Sequence, residues 1–300
     1  MFRNLPQFEF FSPSTIEEAI SLLARHGQKA KVIAGGTDLI VQMKWAEIKP
    51  EYIIGLSQIP DLDEIQYINT AGLKMGALTK IGEIERSKII REHYPILAQA
   101  ASVLGSVEIR NRGTVGGNLC NAAPSADMAP PLLVLGAKAV IASGSGERVI
   151  PLEDFFAGPG ETVLSNGEIL IRLEVPPMKP NSDGEYVKIG IRKAMDIALV
   201  GVAVLITLDP TNNTCEEARL ALATAAPTPI RAKEAEAVLT GKKLDKEVIE
   251  LAAETASKVA SPRTSWRATE DYRRDMIRVL TRRLIQQALD KIHNFRGRLP

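Results

Sequence analysis

Lys31-Val32-Ile33-Ala34-Gly35-Gly36-Thr37-Asp38-Leu39 constrains the fold more than any other stretch of the chain. A short apolar run leads into a Gly-Gly pair, then a hydroxyl and a carboxylate, then an amphipathic segment. That order describes a strand turning into a helix. Adjacent glycines put no Cβ in the path of a ligand. A helix starting near Thr37 and Asp38 would offer free N–H groups and the positive end of its dipole. A phosphate or pyrophosphate suits such a turn. The same pair recurs at Thr114-Val115-Gly116-Gly117-Asn118, after basic residues and before an apolar stretch. Either pair alone reads more readily as a tight turn than as a ligand site. Together they predict two loops closing on one pyrophosphate. Neither Gly-x-Gly-x-x-Gly after the first strand nor Gly-x-x-x-x-Gly-Lys-Ser/Thr occurs, which disfavours a Rossmann site and a P-loop.

Asp38 is awkward in the first loop, because a carboxylate repels a phosphate. It is expected to cap the helix and point away from the ligand, leaving Thr37 to make the hydroxyl contact. In the second loop Asn118 can donate from its amide. Arg110 and Arg112 are as well suited to a solvated surface as to offsetting ligand charge. Asp127, nine residues past Asn118, can accept from ribose or ribityl hydroxyls or cap a short helix.

Around these loops the pattern predicts an α+β chain. Ser14-Thr15-Ile16-Glu17 reads as a capping box, with Ile16, Ile20 and Leu23 on one helical face and Gly27 as the stop. Strands over 31–34 and 51–56 and a helix over 38–46 complete a small α/β lobe, 1–56. A second lobe, 57–176, opens with a hairpin over 62–76 turning at Asn69-Thr70-Ala71-Gly72. Helices over 79–92 and 95–104 follow, the latter opened by Pro95. Pro124, Pro130 and Pro131 are expected to break up the segment after the second glycine pair. A hairpin around Gly144-Ser145-Gly146 and a strand over 168–175 close the lobe. Pro176-Pro177, with Pro180 and Gly184, marks the boundary to a C-terminal domain, 177–300. There, strands over 186–192, 197–208 and 217–223 precede helices over 231–239, 244–260 and 270–292.

Composition removes other classes. A net charge of +1 gives no drive toward nucleic acid or an anionic membrane. The longest apolar run, 197–206, is half of the roughly 20 residues a membrane-spanning helix needs. The N-terminal residues show no apolar signal core, so a cytoplasmic location is the default expectation. Cys120 and Cys215 are the only cysteines; they cannot supply the thiolates of an iron–sulfur cluster. His26, His93 and His293 show no ligand spacing, so no metal site is expected. Redox work, if any, falls to an organic cofactor.

Ala34-Gly35-Gly36-Thr37-Asp38-Leu39 and Thr114-Val115-Gly116-Gly117-Asn118 resemble the paired flavin motifs of the molybdenum hydroxylases. The chain looks like their separate FAD-binding medium subunit, of the xanthine dehydrogenase and carbon monoxide dehydrogenase type. The likeness runs through Ile109-Arg110-Asn111, Ser125-Ala126-Asp127, Gly158-Pro159-Gly160, Glu168-Ile169-Leu170 and Lys188. It continues in Arg192-Lys193-Ala194-Met195-Asp196-Ile197-Ala198, Ala226-Pro227-Thr228-Pro229 and Ser265-Trp266-Arg267-Ala268, the last two closest to the xanthine dehydrogenase branch.

The resemblance implies a two-lobed FAD-binding domain and a C-terminal cap. It puts Val32, Ile33, Ala34, Gly35, Gly36, Thr37, Asp38 and Leu39 around the pyrophosphate, with Thr114, Gly116, Gly117 and Asn118 on its other side. Asp127 would take the ribose or ribityl hydroxyls. Leu104, Leu170 and Lys188 would lie along the isoalloxazine or its polar edge, Leu104 replacing an aromatic residue found in some relatives. No histidine lies in the glycine motifs, so FAD is expected to be non-covalent. With two cysteines, the chain is unlike the hydroxybenzoyl-CoA reductases, whose flavin subunit carries an extra cluster. No side chain is assigned a catalytic role.

The implied partners are a large molybdenum-cofactor subunit, where substrate is oxidised, and a small 2Fe–2S subunit. Electrons would pass from its clusters to FAD, then to NAD⁺ or another acceptor, in a dimer of heterotrimers. The substrate is chosen on another chain, with the purine or N-heterocycle branch slightly favoured. A stand-alone flavin oxidase is the alternative, and would need its own pocket and base. An assembly subunit with a dead flavin site would show degraded loops, and both are intact.

Overall fold

The computed structural model describes residues 4–192 and 194–296. Residues 1–3, Lys193 and 297–300 lie outside it, and with them the start of the N-terminal segment and one residue of the Arg192–Ala198 motif.

The first lobe is a three-stranded parallel sheet in the order β1-β3-β2. It comprises β1 (Glu9–Phe11), α1 (Ile16–His26), β2 (Ala30–Ile33), α2 (Leu39–Lys44) and β3 (Tyr52–Gly55). The α1 cap lies one residue later than the sequence suggests: Thr15 accepts from Glu18 N, and Glu18 reaches back to Ser14 N. Gly27 ends the helix in the left-handed region, at φ 54°. Parallel pairing puts the carboxyl ends of β1, β2 and β3 on one side, and the first Gly-Gly pair follows β2 there.

The second lobe contains β4 (Ile65–Ile68), β5 (Gly72–Gly76), α3 (Ile81–Arg86), α4 (Lys88–His93), α5 (Pro95–Val103), α6 (Val107–Arg110), α7 (Val115–Cys120) and α8 (Ala129–Val134). Then come β6 (Lys138–Ser143), β7 (Gly146–Pro151), β8 (Phe156–Gly158), β9 (Glu161–Thr162) and β10 (Ile169–Val175). Its main sheet is antiparallel, β4-β5-β10-β6-β7. The single helix expected over 79–92 is two, because Ser87 leaves helical geometry (ψ 122°) and its hydroxyl caps α4 through Ile90 N. Pro130 and Pro131 do not break the chain; they sit in the first turn of α8, where a proline sacrifices no intrahelical bond.

The C-terminal domain has β11 (Ser182–Ile189), β12 (Val200–Leu208), β13 (Cys215–Ala223) and the two-residue β14 (Ile230–Arg231), in one antiparallel sheet. α9 (Lys233–Leu239), α10 (Lys246–Val259) and α11 (Glu270–Arg296) follow. Every residue of β12 is buried, because each face of this strand meets a different core. Val200, Val202, Val204, Ile206 and Leu208 pack with α10 and α11. Ala203 and Leu205 join Ile96, Leu132 and Leu173 of the second lobe. A run buried on both sides loses the polar alternation of a half-exposed strand. The C-terminal sheet thus forms a back wall to the flavin lobe.

Candidate functional site

A cavity of about 470 Å³ lies between the two N-terminal lobes. Such a volume suits a cofactor or drug-sized molecule. Fifteen of the sixteen residues expected around the flavin line it: Val32 to Leu39, Leu104, Thr114, Gly116, Gly117, Asn118, Asp127 and Leu170. Lys188 does not.

On the first wall the chain leaves β2 and turns irregularly through residues 34–38 before α2. Gly36 takes φ 74°, a conformation other residues rarely hold. Within the described residues, no hydrogen bond uses the backbone N–H of Gly35, Gly36, Thr37 or Asp38. Four N–H groups on a cavity wall make an anion nest. Asp38 occupies the N-cap position of α2 but does not cap it. This corrects the role read from the sequence. Its backbone is already αR, a geometry that does not bring the carboxylate to the next turn's N–H groups. The carboxylate instead accepts from Thr37 Oγ1 (3.3 Å) and Asn121 Nδ2 (3.4 Å). Desolvation by the cavity walls raises it above the usual carboxylate range, against the pull of Thr37.

The second wall is no loop. Gly116 and Gly117 belong to α7, and the Thr114 hydroxyl caps it through Gly117 N at 3.0 Å. Backbone bonds from Val115 N to Thr79 O and from Gly116 N to Ala77 O fasten this turn beside β5. Three of the four glycines are therefore explained without a ligand. A Cβ on Gly35 would stand 2.0 Å from the Arg112 carbonyl oxygen, and one on Gly116 would stand 2.6 Å from Ala77 O. Gly36 is required by its φ. Only at Gly117 is the obstacle a single side-chain atom: a Cβ would stand 2.9 Å from Thr114 Oγ1, the hydroxyl that caps α7.

Asn118 Oδ1 accepts from Met128 N at 3.3 Å, which fixes the amide plane. Neither arginine considered from the sequence lines the cavity. Arg110 is bound by Glu85 and the Leu104 carbonyl, and Arg112 contributes its backbone carbonyl against Gly35.

Asp127 reaches the cavity and is anchored from behind. Its Oδ1 accepts from Tyr186 Oη (2.9 Å) and its Oδ2 from Lys188 Nζ (2.7 Å). Both side chains of the Asp127–Lys188 pair are 7% exposed. Burial raises the Asp127 carboxyl, with Lys188 and then Tyr186 pulling it back. Lys188, expected along the ring edge, therefore sits one layer back and orients Asp127. Tyr186 was missed, although alternation along β11 places residues 186 and 188 on one face. Cys120 also lines the cavity, and burial pushes its thiol up to about 12, so it is protonated at neutral pH.

The lining has two characters. Free N–H groups, Thr37, Asn118, Asn121, Ser125 and the carboxylates of Asp38, Asp127, Glu168 and Asp196 are polar; Leu104, Ile109, Leu164, Leu170 and Ile197 are apolar. No Lys, Arg or His is among the described lining residues. An anion here is met by backbone dipoles. A molecule with a diphosphate and a flat apolar ring fits both characters, as FAD does.

Comparison with known proteins leads to the same cofactor. A model described as "FAD binding domain in molybdopterin dehydrogenase" matches residues 6–178, and "CO dehydrogenase flavoprotein C-terminal domain" matches 185–288. The xanthine dehydrogenase FAD-binding subunit of Escherichia coli O157:H7 is 36% identical over 286 residues, covering 94% of this chain and 97% of that protein. The carbon monoxide dehydrogenase medium chain of Hydrogenophaga pseudoflava is 31% identical, covering 94% and 97%. A solved structure of carbon monoxide dehydrogenase from that organism superposes with a TM-score of 0.91 at 31% identity, over 95% of this chain and 98% of that one. Quinoline 2-oxidoreductase from Pseudomonas putida 86 gives a TM-score of 0.89 at 30% identity, over 97% and 99%. With its two glycine walls, its back-wall domain and both family models in register, this chain belongs to the FAD-binding medium subunits of the molybdenum hydroxylase family.

Proposed function

We propose that this chain is the electron-transfer subunit of a molybdenum hydroxylase. It receives electrons from 2Fe–2S clusters on a small partner and delivers them to NAD⁺ or another soluble acceptor. Substrate oxidation belongs to the molybdenum cofactor of a large partner, and the working assembly is a cytoplasmic dimer of heterotrimers.

The observation that carries this reading is a cavity built to hold a cofactor and poor in groups that could work on a substrate. Its cradle is backbone N–H from residues 35–38, its apolar end includes Leu104 and Leu170, and no His, Lys, Arg or Tyr is among the described lining residues. Each lining carboxylate is already engaged: Asp127 with Tyr186 and Lys188, Glu168 with Arg148, Asp196 with the backbone N–H groups of Arg192 and Ile197, and Asp38 with Thr37 and Asn121. Cys120 is held as the thiol. Bound there, FAD supplies exchange between one-electron and two-electron carriers. The protein binds the diphosphate with the first wall, orients ribityl or ribose hydroxyls with Asp127, and excludes water with the leucines. The Asp127–Lys188 pair, neutral as a whole, holds the carboxylate in place at the cavity wall.

Gentle purification of the untagged native protein tests this. Flavin and iron–sulfur absorption together with a large and a small co-purifying chain are expected. A lone yellow protein that bleaches on addition of a metabolite would establish the stand-alone oxidase instead.

A further inference from the structure

The turn Ser265-Trp266-Arg267-Ala268 takes no part in the cavity. Ser265 N donates to Ala268 O at 2.9 Å and Arg267 N to Ser265 Oγ at 3.3 Å, leaving Trp266 and Arg267 at the tip. Trp266 is 81% exposed, and the Arg267 guanidinium lies 4.3 Å from its ring centroid. Behind the turn, Arg273 is 3% exposed. It donates to the Leu199 carbonyl and to Ser265 Oγ, and its Nε has no partner among the described residues. Burial, then the charges of Arg263 and Arg267, lower its pKa. Among the described residues no ion pair joins any of these three arginines to a carboxylate; Glu270, at the start of α11, is bound by Arg274.

A guanidinium withdrawn from water and flanked by two others calls for a counter-anion. We propose that this turn, with exposed Arg263 near it and buried Arg273 behind it, docks an acidic segment of a partner subunit. The proposal rests on the multisubunit reading above. Exposed Trp beside Arg is the composition of an interface hot spot. A second copy of this chain is disfavoured, because a twofold contact would set the cationic turn against itself. A small anion would satisfy the charges but leave the indole in water.

Co-expression with the two partner subunits gives the test. Trp266→Ala and Arg267→Glu should each weaken subunit retention about tenfold or more, while FAD content per chain stays unchanged and reports that the fold is intact. Arg267→Lys should recover part of the loss, and raised salt should loosen the wild-type complex. If wild type assembles and both variants assemble equally well, the docking proposal is wrong. Stabilisation of the free chain by inorganic phosphate, with assembly unaffected in the variants, would replace it with a small-anion site. Failure of wild type itself to associate would overturn the electron-transfer reading first, and this one with it.

Discussion

The two Gly-Gly segments are the same in sequence and opposite in build. The first is irregular, uncapped and short of hydrogen bonds, and it is steadied by contact with the other lobe, where Gly35 lies against the Arg112 carbonyl. The second is the opening turn of a capped helix, bonded to residues 77 and 79 just past β5 and braced from behind by Asn118, Asp127, Tyr186 and Lys188. One wall offers free N–H groups and the other offers a fixed surface for them to close against. A Gly-Gly pair is therefore no single signal. Three of these glycines are small because protein backbone needs the space or the conformation, and the fourth lies on the cavity, where a Cβ would meet only the hydroxyl of its helix cap.

The largest effect is expected where the second wall is braced. Lys188→Met leaves the Asp127 carboxylate, 7% exposed, without its cation. Stripping one partner from a buried pair costs about 3–5 kcal/mol, which a denaturant titration would read. Adding Asp127→Asn should recover part of it, as coupled neighbours do. A loss too small to measure would mean that the second wall does not depend on this pair. Next comes the contact that steadies the first wall. Gly35→Ala drives a Cβ to 2.0 Å from a carbonyl oxygen, and overpacking of this kind costs up to about 3 kcal/mol. Stability and FAD should fall together. Separate loss of FAD alone would show that the lobes can part without unfolding.

Much of this was legible in the chain. The β2-turn-α2 unit, the hairpins and the three C-terminal strands follow from periodicity and turn residues, because local chemistry decides them. The helical state of Gly116 and Gly117 was not legible. Glycine is a poor helix former, and what holds this turn is a Thr114 cap together with backbone bonds to residues 77 and 79, far away in sequence. The same holds for Asp38 and Lys188. Residue type gave Asp38 as a capping carboxylate, which its αR backbone precludes, and the family resemblance put Lys188 along the ring or its polar edge, where the structure shows it paired with Asp127. β12 shows the converse: its apolar run read only as a strand too short to span a membrane, and the structure explains the run by burial on both faces.

Gly117→Val separates cavity from scaffold. The added methyls would project from a cavity-lining glycine whose Cβ meets no backbone atom, only the Thr114 hydroxyl, so FAD content should fall below a tenth of wild type. The melting temperature of the FAD-free protein should fall by only a few degrees, because the one scaffold contact the Cβ meets is the Thr114 cap, worth about 1 kcal/mol. Full FAD occupancy in a folded variant would contradict the place given to this wall.

The smallest effect, and the one that best probes the first wall, is expected at Asp38. Its carboxyl is raised in the folded chain, chiefly by desolvation, so its ionisation is harder there than in the unfolded chain. A raised folded value contributes stability that is fully present below the unfolded pKa and is lost as pH rises through the folded one. Asp38→Asn should therefore be slightly more stable than wild type at neutral pH, with the difference vanishing as pH falls through the carboxylate range. It should also bind FAD as tightly or somewhat more tightly, since the nest of N–H groups no longer shares its wall with a negative charge. Fluorescence titration of FAD at neutral and acid pH reads both effects. Weaker binding in the variant would make Asp38 a ligand, and the first wall would then hold its cofactor by a side chain as well as by backbone.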